Sequence, residues 1–162
     1  MRDLHNSVYP KRALSPVAAG TDNTPYVSQI LDMQGFEAAE LLIAIGANTD
    51  ADATFVVLIE HGDAANLSDA AAVPDAQLLG TEALAGFTFD DDNECRKIGY
   101  IGDKRYVRAP ITPANNGAGN IFMAAIWAAL ETGRYETIKQ IALSGSSPFQ
   151  LLGLQARAAL SA

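Results

Sequence analysis

The chain is poor in the residues from which most active sites are built. It has one cysteine, Cys95, and two histidines, His5 and His61, in 162 residues. A single thiol excludes an internal disulfide and a cysteine zinc site. Two histidines do not restore the case for a metal, so no cofactor is expected. Positive charge is scarce as well. Lys and Arg number 11 against 19 Asp and Glu, for a formal net charge of -8 and a pI near 4.5. An acidic surface repels phosphate, which argues against direct nucleic-acid binding and against adhesion to acidic lipid. Long apolar runs are missing too. The longest, residues 53–59 and 121–130, are too short to span a bilayer as helices. No stretch near the N-terminus combines a basic start, an apolar run and a small-residue cleavage site. The expectation is a protein made in the cytoplasm, without a signal peptide and without a membrane partner.

What is present fits one folded domain. Hydrophobic residues make up 49% and charged residues 19%, a balance unlike that of disordered chains. Residues 1–25 carry Pro10, Pro16, Gly20 and Pro25, which favour extended backbone over a long helix. They read as an N-terminal arm. Residues 26–130 are rich in strand and turn signals. Residues 26–31 (YVSQIL) form a short apolar run. Residues 53–60 (ATFVVLIE) are the clearest strand, with Phe55, Val57 and Ile59 on one face. Thr54, Val56 and Leu58 lie on the other, and this two-sided apolar character suggests a central strand. Residues 62–75 read as a polar, alanine-rich loop, and residues 86–89 as a short strand.

Residues 96–101 and 105–111 suggest a hairpin across Gly102-Asp103, a pair suited to a tight turn. Pro110 and Pro113 should limit strand pairing after it. Asn115-Asn116-Gly117 makes a further turn. This spacing points to an all-β fold, a single jelly-roll-like β-sandwich over residues 26–130. The alternative is a small α+β domain in which residues 37–45 and 121–131 are helices. Residues 131–162 have helical apolar spacing at Tyr135, Ile138 and Ile141, then a break at residues 144–148. Phe149, Leu151, Leu152 and Leu154 follow, and the segment reads as a partly helical assembly tail that needs a partner surface.

The acidic run Asp90-Asp91-Asp92-Asn93-Glu94 has oxygen ligands for calcium. It lacks EF-hand spacing, and a solvated turn is the better reading. Asp50 and Asp52 read as turn residues also. His61 next to Asp63 has the ingredients of a general base, and Ser68 follows, but no nucleophile motif surrounds them. A hydrogen-bonded histidine at a strand end is expected instead. Cys95 reads as structural or incidental. Arg96, Lys97, Lys104, Arg105 and Arg108 put five of the chain's 11 cations on the expected hairpin. They suggest either a docking patch for an acidic partner or balance against residues 90–94. Trp127 reads as core.

Several of these segments also occur in order: Glu60-His61-Gly62-Asp63, Leu67-Ser68-Asp69-Ala70, residues 78–81 (LLGT), residues 97–100 (KIGY) with 104–108 (KRYVR), and residues 111–114 (ITPA). This string resembles a widespread group of small tailed-phage and prophage proteins found with capsid genes, over roughly residues 24–128. The resemblance implies a non-catalytic virion protein of the capsid decoration or minor capsid type. It further implies assembly in the host cytoplasm and a final place on the capsid surface. The partners it implies are the major capsid protein and the chain itself, as a homotrimer. A head–tail connector or tail subunit is the alternative within that class, and a host carbohydrate-binding module is the alternative outside it. The interaction residues expected are the five cations and the tail residues Ile138, Ile141, Phe149, Leu151 and Leu152.

Overall fold

The computed structural model describes residues 5, 7–16, 22–117 and 121–131. The strands in chain order are β1 (Val8–Leu14), β2 (Tyr26–Val27), β3 (Leu31–Asp32), β4 (Phe36–Asn48), β5 (Thr54–Val57), β6 (Glu60–Gly62) and β7 (Ala71–Ala72). They continue with β8 (Leu78–Leu79), β9 (Phe87–Thr88), β10 (Cys95–Tyr100), β11 (Tyr106–Arg108), β12 (Pro110–Ala114) and β13 (Ile121–Glu131). The helical pieces among the described residues are a 3-10 turn at Asp75–Gln77 and one α turn, α1 (Glu82–Ala85). The fold is all-β, with antiparallel sheets packed together.

One layer is a five-stranded sheet in the order β1-β13-β4-β10-β8. Its two long members, β4 and β13, are the segments that the α+β alternative made helical. Ala39, Leu41, Ile43 and Ile45 are buried while Leu42 and Ala44 are exposed, a period of two. β13 answers with buried Met123, Ala125, Trp127 and Ala129. Helix propensity favours Ala, Leu and Glu by only a few tenths of a kcal/mol per residue. Burying a Leu or Ile contributes roughly 1.5–3 kcal/mol, so the pattern of burial wins.

The opposite layer comprises two four-stranded sheets, β3-β11-β6-β7 and β2-β12-β5-β9. Three chain runs pass through both sheets in the same order: β2 into β3, β5 into β6, and β11 into β12. The two sheets are therefore one layer folded along a line through Ser28, Ile59 and Ala109. Backbone donors on that line are met by side chains. Ala109 N–H donates to Ser28 Oγ at 2.8 Å, and Ile59 N–H to Glu82 Oε1 at 2.7 Å. Ser28 N–H in turn donates to the Ala109 carbonyl at 3.0 Å. Without those acceptors the fold line would bury unpaired amides. A single apolar cluster joins the layers, with Trp127, Tyr100, Phe55, Leu41 and Ile111 among its largest members.

Several expectations are corrected. Val8–Leu14, placed in an arm, is an edge strand paired with β13 from Val8↔Leu130 to Leu14↔Ala125. Residues 26–31 and 53–60 are each split by the fold line into strands of two sheets. Val56 is 62% exposed, so the second face of β5 is not core. The hairpin is absent: β10 pairs with β4 and β8, whereas β11 pairs with β3 and β6. The chain crosses between layers from Tyr100 to Tyr106. Gly102 lies over the buried Tyr100 ring, where a Cβ would come within 2.6 Å of the phenol oxygen. Pro110 and Pro113 do not limit pairing, since β12 is an inner strand between β2 and β5. Pro110 opens the strand and its carbonyl accepts from Leu58 N–H at 3.0 Å. Pro113 lies opposite Phe55, past the two residues of β2. Ile138, Ile141, Phe149, Leu151 and Leu152 lie outside the described residues.

Candidate functional site

The segments around His61 and Tyr100, distant in sequence, meet at one junction. β6 carries His61, whose Nδ1 lies 3.1 Å from the Tyr100 hydroxyl. The same hydroxyl accepts from Lys104 N–H at 3.1 Å and donates to the Lys104 carbonyl at 3.2 Å. Lys104 Nζ reaches Asp63 at 2.6 Å. Asp69 closes the group, accepting from Asp63 N–H at 2.8 Å and Ala64 N–H at 3.2 Å. Gly62 is required there, because a Cβ would run into the Asp69 carboxylate. Leu67 adopts a left-handed backbone at φ 51° and buries its side chain. That conformation costs a branched residue about 1–2 kcal/mol, which the buried side chain offsets.

The electrostatics of the junction favour holding the chain in place. Burial pushes the Tyr100 phenol up, so it stays protonated and donates a bond instead of acting as a base. The Asp63 and Ala64 amides hold Asp69 below the ordinary carboxylate value. The carboxylate of Asp63 bonds Lys104 and pushes that ammonium up. His61 and Tyr100 are buried, whereas Ser68 sits on the exposed turn. The ring of His61 faces Tyr100 edge-on at 5.8 Å. The expected hydrogen-bonding partner is present, but His61 is the middle residue of β6 and not at a strand end.

The acidic run is committed to local bonds. Asp91 accepts from Thr88 N–H at 2.8 Å and pairs with Arg96 at 2.8 Å. Asp92 accepts from Asn48 N–H at 2.7 Å, while Asp90 bonds the Thr88 hydroxyl and Glu94 bonds Arg96. The Thr88 amide holds Asp91 below the ordinary value. Asn48 and Asp50 form successive turns, their side-chain oxygens accepting from the amides of Asp50 and Asp52, each at 3.0 Å. A hydrogen bond with Asp50 raises Asp52. Among the described residues no three His, Cys, Asp or Glu side chains are grouped to hold a metal ion.

The five expected interaction cations are dispersed. Arg96 and Lys97 lie on β10; Lys104 and Arg105 precede β11; Arg108 ends it. Each has a carboxylate partner: Arg96 with Asp91 and Glu94, Lys97 with Glu40 at 4.0 Å, Lys104 with Asp63, Arg105 with Asp32 at 3.0 Å and Arg108 with Glu60 at 2.7 Å. Arg105 also lies 5.1 Å from the centre of the Tyr106 ring. Only Arg96 is balanced by the local acidic run. An acidic partner would have to displace carboxylates already in place. Cys95 is exposed at the start of β10, and Trp127 is fully buried, so its ring offers no platform for a sugar.

Residues missed in the sequence are Ser28 and Glu82, which seal the fold line, and Leu42, Ile126 and Leu79, which are exposed on the five-stranded sheet. The alternation within β4 is the signal that could have found Leu42. No helix among the described residues is long and apolar enough to cross a membrane. No family model matches the sequence, and no curated protein matches it significantly.

Proposed function

We propose that this chain is a structural subunit of a tailed-phage particle that coats the head and acts through contacts, without catalysis. The observation that carries the reading is where the recurring segments fall. Several of their polar residues are fastened to joints of the sandwich. Asp69 locks the turn after β6, Thr81 accepts from Leu84 N–H at 3.2 Å to cap α1, and Arg108 bridges β11 to Glu60 on β6. Tyr100 fixes the crossover between layers. A catalytic side chain must reach a substrate, whereas these residues are held by the framework. Such a string describes a scaffold whose purpose is its surface.

On this reading the subunit binds the major capsid protein and copies of itself. Its contribution is mechanical: contacts that bridge neighbouring shell subunits oppose the outward pressure of packaged DNA. Many weak contacts on a repeating lattice hold through avidity. Electron cryomicroscopy of intact particles tests this directly. Density for the sandwich on the outer shell is expected. Density at the portal or in the tail would replace head coating with the connector or tail role, and absence from particles would end the structural reading.

A further inference from the structure

The outer face of the five-stranded sheet has no role in the framework described above. Residues directly opposite on neighbouring strands share a face. One row across the sheet therefore reads Arg12, Ile126, Leu42, Lys97, and Glu40 and Leu79 lie in the row beside it. The remaining outward positions of these strands are mostly Ala, Gly, Val, Leu and Pro. Leu42 is 44% exposed, Ile126 46% and Leu79 53%. From strand spacing and rise, the face is about 20 Å wide and about 35 Å long on its two long strands, or of the order of 600 Å². That is the footprint of the whole face, with Arg12, Lys97 and Glu40 included. Burying it on two copies removes about 1,200 Å², the lower end of the range for specific association.

Charge indicates the occupant. The two rows carry two cations, Arg12 and Lys97, and one carboxylate, Glu40, on a chain whose net charge is -8. Two copies approaching by this face avoid much of the repulsion they would meet elsewhere. Glu40 and Lys97 lie on adjacent strands, displaced by one step along them. A two-fold axis that bisects them in the plane of the sheet places each Glu40 over the other copy's Lys97. On flat-sheet spacing the same axis passes within about 2 Å of Ile126, Leu42 and Leu79, so each packs near its own counterpart. Burial already raises the proton affinity of Glu40, with the Lys97 charge opposing, so the carboxylate stands to gain from a second cation.

We propose that this face binds a second copy of the chain, face to face about a two-fold axis, with Glu40 and Lys97 exchanged across a contact centred on Leu42 and Ile126. The inference stands apart from the phage reading, and a three-fold assembly would have to use a different surface.

Sedimentation equilibrium of the full chain from micromolar to millimolar concentration tests it. The expected result is a concentration-dependent dimer. Glu40→Lys and Lys97→Glu should each weaken it roughly tenfold or more, and the double exchange should restore it to within about threefold. Leu42→Arg should leave a monomer. A wild type that stays monomeric overturns the proposal, as does a dimer or trimer unmoved by these substitutions, or a double exchange that does not restore association. Melting of each variant at monomer concentration guards against misfolding. If melting falls while the mass is unchanged, the face packs within its own chain and the proposal fails.

Discussion

Ser28 carries more than its size suggests. Its hydroxyl accepts the Ala109 amide and donates to the Gln29 carbonyl at 3.0 Å, in a side chain that is buried. Ser28→Ala should therefore cost about 1–3 kcal/mol in urea unfolding, the usual penalty for stranding a buried donor. Glu82→Gln keeps an acceptor for Ile59 and should cost less than Glu82→Ala. Asp69 gives a pH prediction. Amide donors hold its folded value below the ordinary 3.8. Between those two values the unfolded chain binds more protons than the folded one. The stabilisation is thus complete above the ordinary value and is lost as pH falls through the folded one. Asp32, held down by Arg105, and Asp91, held down by the Thr88 amide, act in the same direction. The melting temperature should fall below about pH 4, and Asp69→Asn should be less stable than wild type at pH 7 but close to it in acid. Neither residue was legible as a keystone in the sequence. Ser28 acts on an amide 81 positions away, and nothing local marks that partner.

Among the elements, those whose character follows from burial within one segment were readable. The inward face Phe55, Val57 and Ile59, the turn at Asn115-Asn116-Gly117 and the short strand at Phe87–Thr88 could be read locally. Elements whose character depends on a distant partner were not. Residues 96–111 have the composition of a hairpin, and only the burial of Tyr100 against the opposite layer sends the two halves to different sheets. Two prolines marked β12 as a poor strand, yet it lies inside its sheet because β2 is short and leaves Pro113 no ladder partner on that side. Val8–Leu14 reads as an arm because Pro10, Lys11 and Arg12 mask Ala13, which is 1% exposed. Position in the five-stranded sheet sets an expectation for amide exchange. β4 pairs with β13 along its length and with β10 from Ala39 to Ala44, whereas β1 pairs on one side only. Amides of β4 should exchange near the rate of global unfolding and those of β1 much faster. Equal protection in the two strands would contradict the strand order.

At the scale of the molecule, composition indicated one folded domain and an acidic surface, and both follow from totals that need no partner; the all-β sandwich followed from the spacing of strands and turns. The dispersal of the cations was hidden, because all but Arg96 pair with carboxylates on elements that only the fold brings together. The ladder between β1 and β13 has a consequence of its own. It begins at Val8↔Leu130, so the chain enters β1 and leaves β13 at the same end of two neighbouring strands. A pull that separates the two flanking segments loads that ladder one rung at a time, like a zipper, and not all rungs together in shear. β1 should peel away at low force and release seven residues, about 25 Å of slack. β4, β10 and the folded layer would stay intact. If the flanking segments are tethered to different neighbours in an assembly, the sandwich carries its own mechanical fuse, able to lengthen under tension and close again when the load is gone.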